Sequence, residues 1–402
     1  MTANKSLGVV AALAALAFIG TAQAGEKSIK IGVLTDLTSF ASTSMGPGSV
    51  VATQLAAKDF GGSVLGKPIE VISADMQSKP DLAVSLARQW YDTEGVDVIV
   101  DVPASAAALA IQAMALEKHK MFLPTVAATS ELTGKSCSPL GVHWGIDTAA
   151  TSRTLVNALA QDGAKSWFLL MPDFAVGKAL AAVADPMIKA GGGKVAGTVF
   201  FPTNSSDFAN YLVTAQNSGA DVIGNGAIGL DLSTSIKQAV EFGILPSSKQ
   251  RLVAFLANLT DIDAVGLKTM QGVYVMQDFY WDQNDTTRAF AKEFIAIHKK
   301  MPNFTQAANY SGVTAYLTAV KEAGSDDPAK VVAKMREHPM KRFAGTAVLR
   351  PDGLVVDSVG LYRVKSPAES KGPWDYLKLV RTLEGDQVFT PLKDSECPLV
   401  KK

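Results

Sequence analysis

Short apolar runs alternate with helical periodicity along almost the whole chain, and that alternation decides the fold class. Ile29 to Leu34 is an apolar run suited to a buried strand. After a Gly/Ser-rich stretch at 39–49, Val50 to Phe60 repeats apolar positions at helical spacing. Pro68 to Ile72 reads as a strand and Asp81 to Glu94 as a helix, with Pro80 as its start signal. Strand Val96–Val100, helix Ala104–His119 and strand Lys120–Leu123 follow. This order builds a parallel sheet covered on both faces. The rhythm restarts near residue 148, with helices over 151–162, 176–190, 206–217 and 231–242. They alternate with strands over 166–170, 194–201, 220–224, 251–256 and 273–276. Helices at 286–300, 305–323 and 328–337 and strands at 343–349 and 358–364 complete the chain. No low-complexity linker separates the two units, so the expected architecture is α/β, with two similar lobes joined by several ordered crossings.

Composition agrees. Of 402 residues, 48% are apolar and 19% charged, enough to bury large cores. Lys+Arg and Asp+Glu are 38 each, so no basic surplus exists to neutralise a nucleic-acid backbone. Residues 1–24 have the form of a secretory signal: Lys5, an apolar run from Leu7 to Ile19, then Ala22-Gln23-Ala24 as a cleavage site. The run, about 13 residues, is short for a spanning helix, although an uncleaved anchor is the other reading. Cleavage leaves 402 − 24 = 378 residues outside the cytoplasm. No cysteine follows the signal to carry a lipid. In an oxidising compartment Cys137 and Cys397 are expected to pair, closing a loop of about 260 residues worth about 5 kcal/mol. Two separate buried thiols are the alternative.

Catalytic motifs fail on inspection. His119, His143, His298 and His338 lack zinc-site spacing, and there is no C-x-x-C. Gly224-Asn-Gly226-Ala-Ile-Gly229 has the glycines of a dinucleotide fingerprint, but Ser247, Ser248 and Lys249 stand about where its acidic partner belongs. It reads as a tight βα turn. Gly134-Lys135-Ser136 lacks the earlier P-loop glycine, Thr129 standing there. No G-x-S-x-G or S-x-x-K occurs. No catalytic residue, metal or cofactor is therefore expected. Ligands of parallel sheets sit at the carboxyl ends of strands, where helix N-termini present N–H groups to anions. Three turns fit: Pro103-Ala104-Ser105, Thr125 to Ser130, and Pro172-Asp173-Phe174. Each Ser or Thr there has a plain alternative as a helix cap, and Phe174 as core packing.

Ile29–Leu34, Gly66–Glu70, Val98–Val102, Ala127–Thr133 and Gln238–Gly243 together resemble the periplasmic solute-binding proteins of branched-chain-amino-acid-type ABC transporters. The pieces His143-Trp144, Asp278–Asp282, Thr287–Lys292, Ser370–Tyr376 and Cys397–Val400 are similar to a subgroup that includes aromatic-acid binders. The resemblance implies a type I periplasmic binding fold. Its two Rossmann-like lobes, 26–147 plus 281–355 and 148–280 plus 356–402, are joined by a three-crossing hinge. It implies a small carboxylate ligand, an aromatic acid or an amino-acid-like compound, closed between the lobes of a periplasmic monomer and passed to a membrane permease. It places the carboxylate on Ala104, Ser105, Ala127 and Thr129, with Met45 where amino-acid binders often carry an aromatic. On the second lobe it places Phe174, Asp231 and Asn258, with Val176 where an aromatic is common. An amide at Asn258, where amino-acid binders carry a glutamate nearby, favours a neutral or hydroxylated acid. Tyr280, Trp281 and Tyr310 are candidate aromatic walls, or core. A sensor subunit of the same fold and an exported enzyme are the competing functions.

Overall fold

The computed structural model describes residues 1, 28–39, 42–246, 249–343 and 345–401; the rest of the expected signal segment lies outside the described residues. The first unit runs β1 (Ile29–Thr35), α1 (Gly46–Asp59), β2 (Ser63–Val64), β3 (Lys67–Asp75), α2 (Pro80–Gln89), β4 (Val98–Asp101), α3 (Ser105–Glu117) and β5 (Met121–Leu123). Its sheet has the order β2-β3-β1-β4-β5, with β3, β1, β4 and β5 parallel. The sequences explain the interior strands: Val98–Asp101 and Met121–Leu123 are buried at every position, as strands covered on both faces must be.

The second unit runs α4 (Thr148–Gln161), β6 (Ser166–Pro172), α5 (Ala175–Ala190), β7 (Lys194–Phe201), α6 (Ala209–Asn217), β8 (Val222–Asn225), α7 (Gly229–Glu241) and β9 (Arg251–Ala254). It continues through α8 (Leu259–Val265), α9 (Leu267–Met270) and β10 (Tyr274–Gln277). The chain then forms α10 (Asp285–His298), α11 (Phe304–Ala323), α12 (Pro328–Glu337), β11 (Met340–Arg342), β12 (Gly345–Leu349) and β13 (Val355–Val356). Tyr316 and Val320 of α11 and Val331 and Met335 of α12 share a core with Ile31, Val98 and Leu123, so this excursion returns to the first sheet. Finally β14 (Val359–Val364) and β15 (Leu377–Leu383) add antiparallel strands to the second sheet, whose order is β15-β14-β10-β9-β8-β6-β7. That sheet is covered on one face by Leu212, Ile236 and Ile262 and on the other by Leu155, Leu159 and Leu180.

Three expectations shift. Residues 90–94 form a π-helical turn ended by Gly95 at φ 68°, where an unbroken helix was expected. α8 was not expected; at seven residues it is too short to show periodicity. β15 was also missed, because only its two ends are buried and it is an edge strand with no apolar run or clean alternation.

The segments joining the two cores meet at one cation. Arg342 Nη2 donates to Asp278 Oδ2 at 2.6 Å and Nη1 lies 3.5 Å from Asp357 Oδ2. Its guanidinium carbon stands 5.9 Å from the centroid of the Trp144 ring. Asp278 follows β10, Asp357 follows β13 and Trp144 lies between β5 and α4, so one buried side chain touches all three joining segments. His143 strengthens the same point: its N–H donates to Gly353 O at 2.8 Å and its carbonyl accepts from Val355 N at 3.0 Å. Cys137 and Cys397 form a disulfide, with Cα atoms 5.6 Å apart. Upstream, Val388 and Phe389 are buried in the core of the second sheet. The C-terminal tail is thus a further covalent link between the two cores.

Candidate ligand site

Topology marks one crevice in each sheet. From β1 the chain moves outward to β3 and then returns to the other side of β1 as β4, and a ligand crevice opens beyond the strand ends at such a reversal. In the second sheet β6 has β7 on one side and β8 on the other, which makes the equivalent crevice. Register aligns the ends: Leu34 pairs with Asp101 and Val100 with Leu123, while Leu170 pairs with Asn225 and Asn225 with Ala254.

In the first crevice the chain leaves β4 through two non-glycine residues in the left-handed region, Asp101 at φ 75° and Val102 at φ 56°. A β-branched residue there is strained. Val102 is held by its N–H to Leu34 O at 2.9 Å. Ala104 is the N-cap of α3, and no side chain caps that helix. The first N–H groups of α3, starting at half-buried Ser105, therefore have no side-chain cap, the arrangement that suits an anion at a helix start. One strand over, Ala127 is buried and its carbonyl accepts from His143 Nε2 at 2.7 Å. Burial pushes the His143 imidazole pKa down, so the ring is a neutral Nε2–H donor that fixes this peptide. Thr129 Oγ1 accepts from Glu131 N at 3.3 Å, a capping role that leaves its own O–H available to a ligand. Met45 is the N-cap of α1, and Gly46 follows at φ 47° with no room for a Cβ beside Asp36 O. Ser78 Oγ donates to Asp36 Oδ2 at 2.6 Å, tying the end of β1 to the loop after β3. This contact joins residues with no shared local pattern, and sequence reasoning did not find it.

In the second crevice Phe174 is the half-buried N-cap residue of α5. Asp231 sits buried in the first turn of α7, where the helix end favours its charge. Its Oδ2 accepts from Asn204 N at 3.0 Å, and its Oδ1 has no partner. Asn258 is buried and caps α8, its Oδ1 accepting from Thr260 N at 2.9 Å and Asp261 N at 3.2 Å, which leaves only its amide donor. The glycine-rich turn after β8 is closed by Asn225, whose Oδ1 accepts from Ala227 N at 2.9 Å.

Met45, Ala104, Ser105, Ala127 and Thr129 thus lie in the loops and helix starts that follow strands of the first sheet, and Phe174, Asp231 and Asn258 in those that follow strands of the second. Tyr280 does not join them. Its hydroxyl bonds Trp374 O, Tyr376 N and Leu377 N, and it lines a separate cavity against β14 and β15. Trp281 Nε1 donates to Trp374 O, and Tyr310 donates to Asp59 while packing on Phe290 and Phe343. All three aromatics hold the fold together.

A family model described as periplasmic binding protein matches residues 28–372. The chain belongs to the periplasmic binding protein family. A periplasmic binding protein from Burkholderia mallei is 41% identical, with a TM-score of 0.86 over 93% of this chain and 99% of that one. A branched-chain amino acid ABC transporter periplasmic ligand-binding protein from Burkholderia xenovorans is also 41% identical, with a TM-score of 0.89 over 93% and 100%. A solute-binding protein of an ABC transporter from R. palustris, in complex with 4-hydroxybenzoate, shares the fold at 20% identity and a TM-score of 0.79, over 89% and 97%. No match was found among curated proteins.

In this periplasmic binding protein the strained strand end has a measurable signature. Burial pushes the Asp101 carboxyl up to about 6, opposed by hydrogen bonds such as that from Asn309 Nδ2 at 2.9 Å. A carboxyl raised in the fold contributes stability that is fully present below its unfolded pKa near 4 and is lost as pH rises through about 6. The parent protein should therefore lose about 2–3 kcal/mol relative to Asp101→Asn between those values. Melting temperatures of both proteins across that range check this, and parallel profiles would refute it.

Proposed function

We propose that this chain is the solute-binding component of an ABC uptake system that captures a small aromatic or otherwise apolar carboxylate. In this reading the two cores are lobes, 26–147 plus 281–355 and 148–280 plus 356–402, that close on the ligand. The mature chain, freed of residues 1–24, works as a periplasmic monomer and presents its closed form to a membrane permease. The observation that carries the ligand class is the uncapped start of α3 at a topological reversal, with the Thr129 hydroxyl one strand away. Together they supply hydrogen-bond donors for one carboxylate.

The other crevice supports a polar group at the far end of the ligand. Asp231 Oδ1 is a buried acceptor without a partner, suited to a hydroxyl, and Asn258 offers a donor. Met45 and Phe174 are half-buried, and Leu230, in the first turn of α7, is 74% exposed, so apolar surface remains for a ring. The ligand would shift the open–closed equilibrium by contacting both lobes only when they are closed.

A thermal-shift screen of aromatic acids, aliphatic diacids and amino acids tests this, with 4-hydroxybenzoate included because it carries both groups. One carboxylate should raise the melting temperature saturably without being consumed; consumption, or no response to any acid, would overturn the reading. Against the best acid, Ser105→Ala and Thr129→Ala should each weaken binding about tenfold, while Thr129→Ser, which keeps the hydroxyl, should not. Unchanged affinity in both alanine variants would refute the carboxylate placement.

A further inference from the structure

The ion cluster that joins the crossing segments contains one charge too many. Arg342 supplies a single positive charge to Asp278 and Asp357, whose side chains are 1% and 8% exposed. Asp278 Oδ1 is buried and accepts no hydrogen bond. Both aspartates line a cavity of about 590 Å³ bounded by residues 278–284, β14 and β15, within the usual size range of a small-molecule site. The other acids on its wall each have a basic partner: Asp375 pairs with Lys365, and Asp282, 40% exposed to water, shares Arg288 with the fully exposed Asp285. Lys378, also on the wall, is 61% exposed and lies 3.8 Å from Glu369. The surplus negative charge that is shielded from water therefore lies at Asp278 and Asp357. Beside it are two phenol rings, Tyr280 and Tyr362, with centroids 5.8 Å apart.

We propose that this cavity is a second binding site, for a small organic ammonium ion that donates to Asp278 Oδ1 while its carbon chain lies against Tyr280 and Tyr362. A carboxylate oxygen without a donor calls for an N–H or a cation. No group of three His, Cys, Asp or Glu able to hold a metal ion occurs among the described residues, so the chemistry favours an organic cation over a metal ion. Aromatic faces beside the carboxylates add attraction for an ammonium and cover its apolar part. None of the residues placed at the carboxylate crevices lines this cavity, so the two sites are separable by mutation.

The test is calorimetric titration of the purified protein with butylammonium chloride and 1,4-diaminobutane dihydrochloride, against sodium chloride at matched ionic strength. At least one amine should bind saturably below about 10 mM, with no heat of binding from sodium chloride. Asp278→Asn should weaken that binding at least about tenfold. Asp278 also holds Arg342, so a second variant leaves the ion cluster intact. Thr382→Trp, at an exposed position on the cavity wall, should block the amine and leave the response to the best carboxylate unchanged. The proposal is overturned if neither amine binds, if sodium chloride reproduces the signal, or if Thr382→Trp binds the amine as tightly as the parent does.

Discussion

A protein carrying both Cys137→Ser and Cys397→Ser should melt about 6 °C below the parent. The disulfide joins residues 260 positions apart. On the chain-entropy estimate, a loop of that length restricts the unfolded chain by about 5 kcal/mol. Spread over the unfolding entropy of a chain this long, that corresponds to about 6 °C. The native contacts around the bond are modest. Lys135 and Glu396 are 3.5 Å apart and largely exposed, so their pairing contributes little. Farther up the tail, Arg350 Nη1 donates to Thr390 O at 2.8 Å, and Arg153 Nη2 and Asn157 Nδ2 reach the Asp386 and Gln387 carbonyls. These contacts and buried Val388 and Phe389 survive reduction, so the variant should keep its fold and lose mainly the entropic term. Calorimetry of the variant and of the reduced parent should agree. A variant that melts with the parent would show that the tail is held by packing alone.

How much of this was legible in the sequence depends on whether a residue acts through local pattern or through the fold. Val98–Asp101 and Met121–Leu123 are short apolar runs because both faces of those strands are covered, and they were readable as such. The same runs placed Ser105 and Thr129 at strand ends, since a βα turn follows each strand directly. The pairing of Cys137 with Cys397 followed from compartment and count. Asn258 was nominated as a ligand contact, and its oxygen serves a capping box with Asp261, a local motif that competes for the same atoms. Tyr280 is a candidate ligand wall or core residue from the resemblance alone, and its hydroxyl is taken by residues 374–377, a contact that the segment leading into β15 makes possible. His143 stood out only through the resemblance of its dipeptide. Its bond to Ala127 O depends on β5 and the first joining segment lying side by side.

The Arg342 cluster was illegible for the same reason, and it carries the other large effect. Arg342→Met should cost about 3–5 kcal/mol, because it removes the one positive charge paired with Asp278 and Asp357 and leaves both carboxylates, 1% and 8% exposed, without a counter-charge. Burial already pushes the Asp357 carboxyl up with the guanidinium present, and the neighbouring Asp278 charge adds to that. Without Arg342, which now opposes that shift, the Asp357 carboxyl favours the protonated form more strongly. A carboxyl raised in the fold stabilises at low pH and loses that contribution as pH rises, so the deficit of the variant should be largest near neutrality and shrink toward acid. Adding Asp278→Asn and Asp357→Asn to Arg342→Met should recover much of the loss, since the penalty lies in the orphaned charges more than in the missing pair. Denaturant titrations of the parent, the single variant and the triple variant at neutral and acid pH make the comparison. If Arg342→Met stays within about 1 kcal/mol of the parent at neutral pH, the joining segments are held by backbone pairing such as that between His143 and Gly353, and the ion cluster is incidental to them.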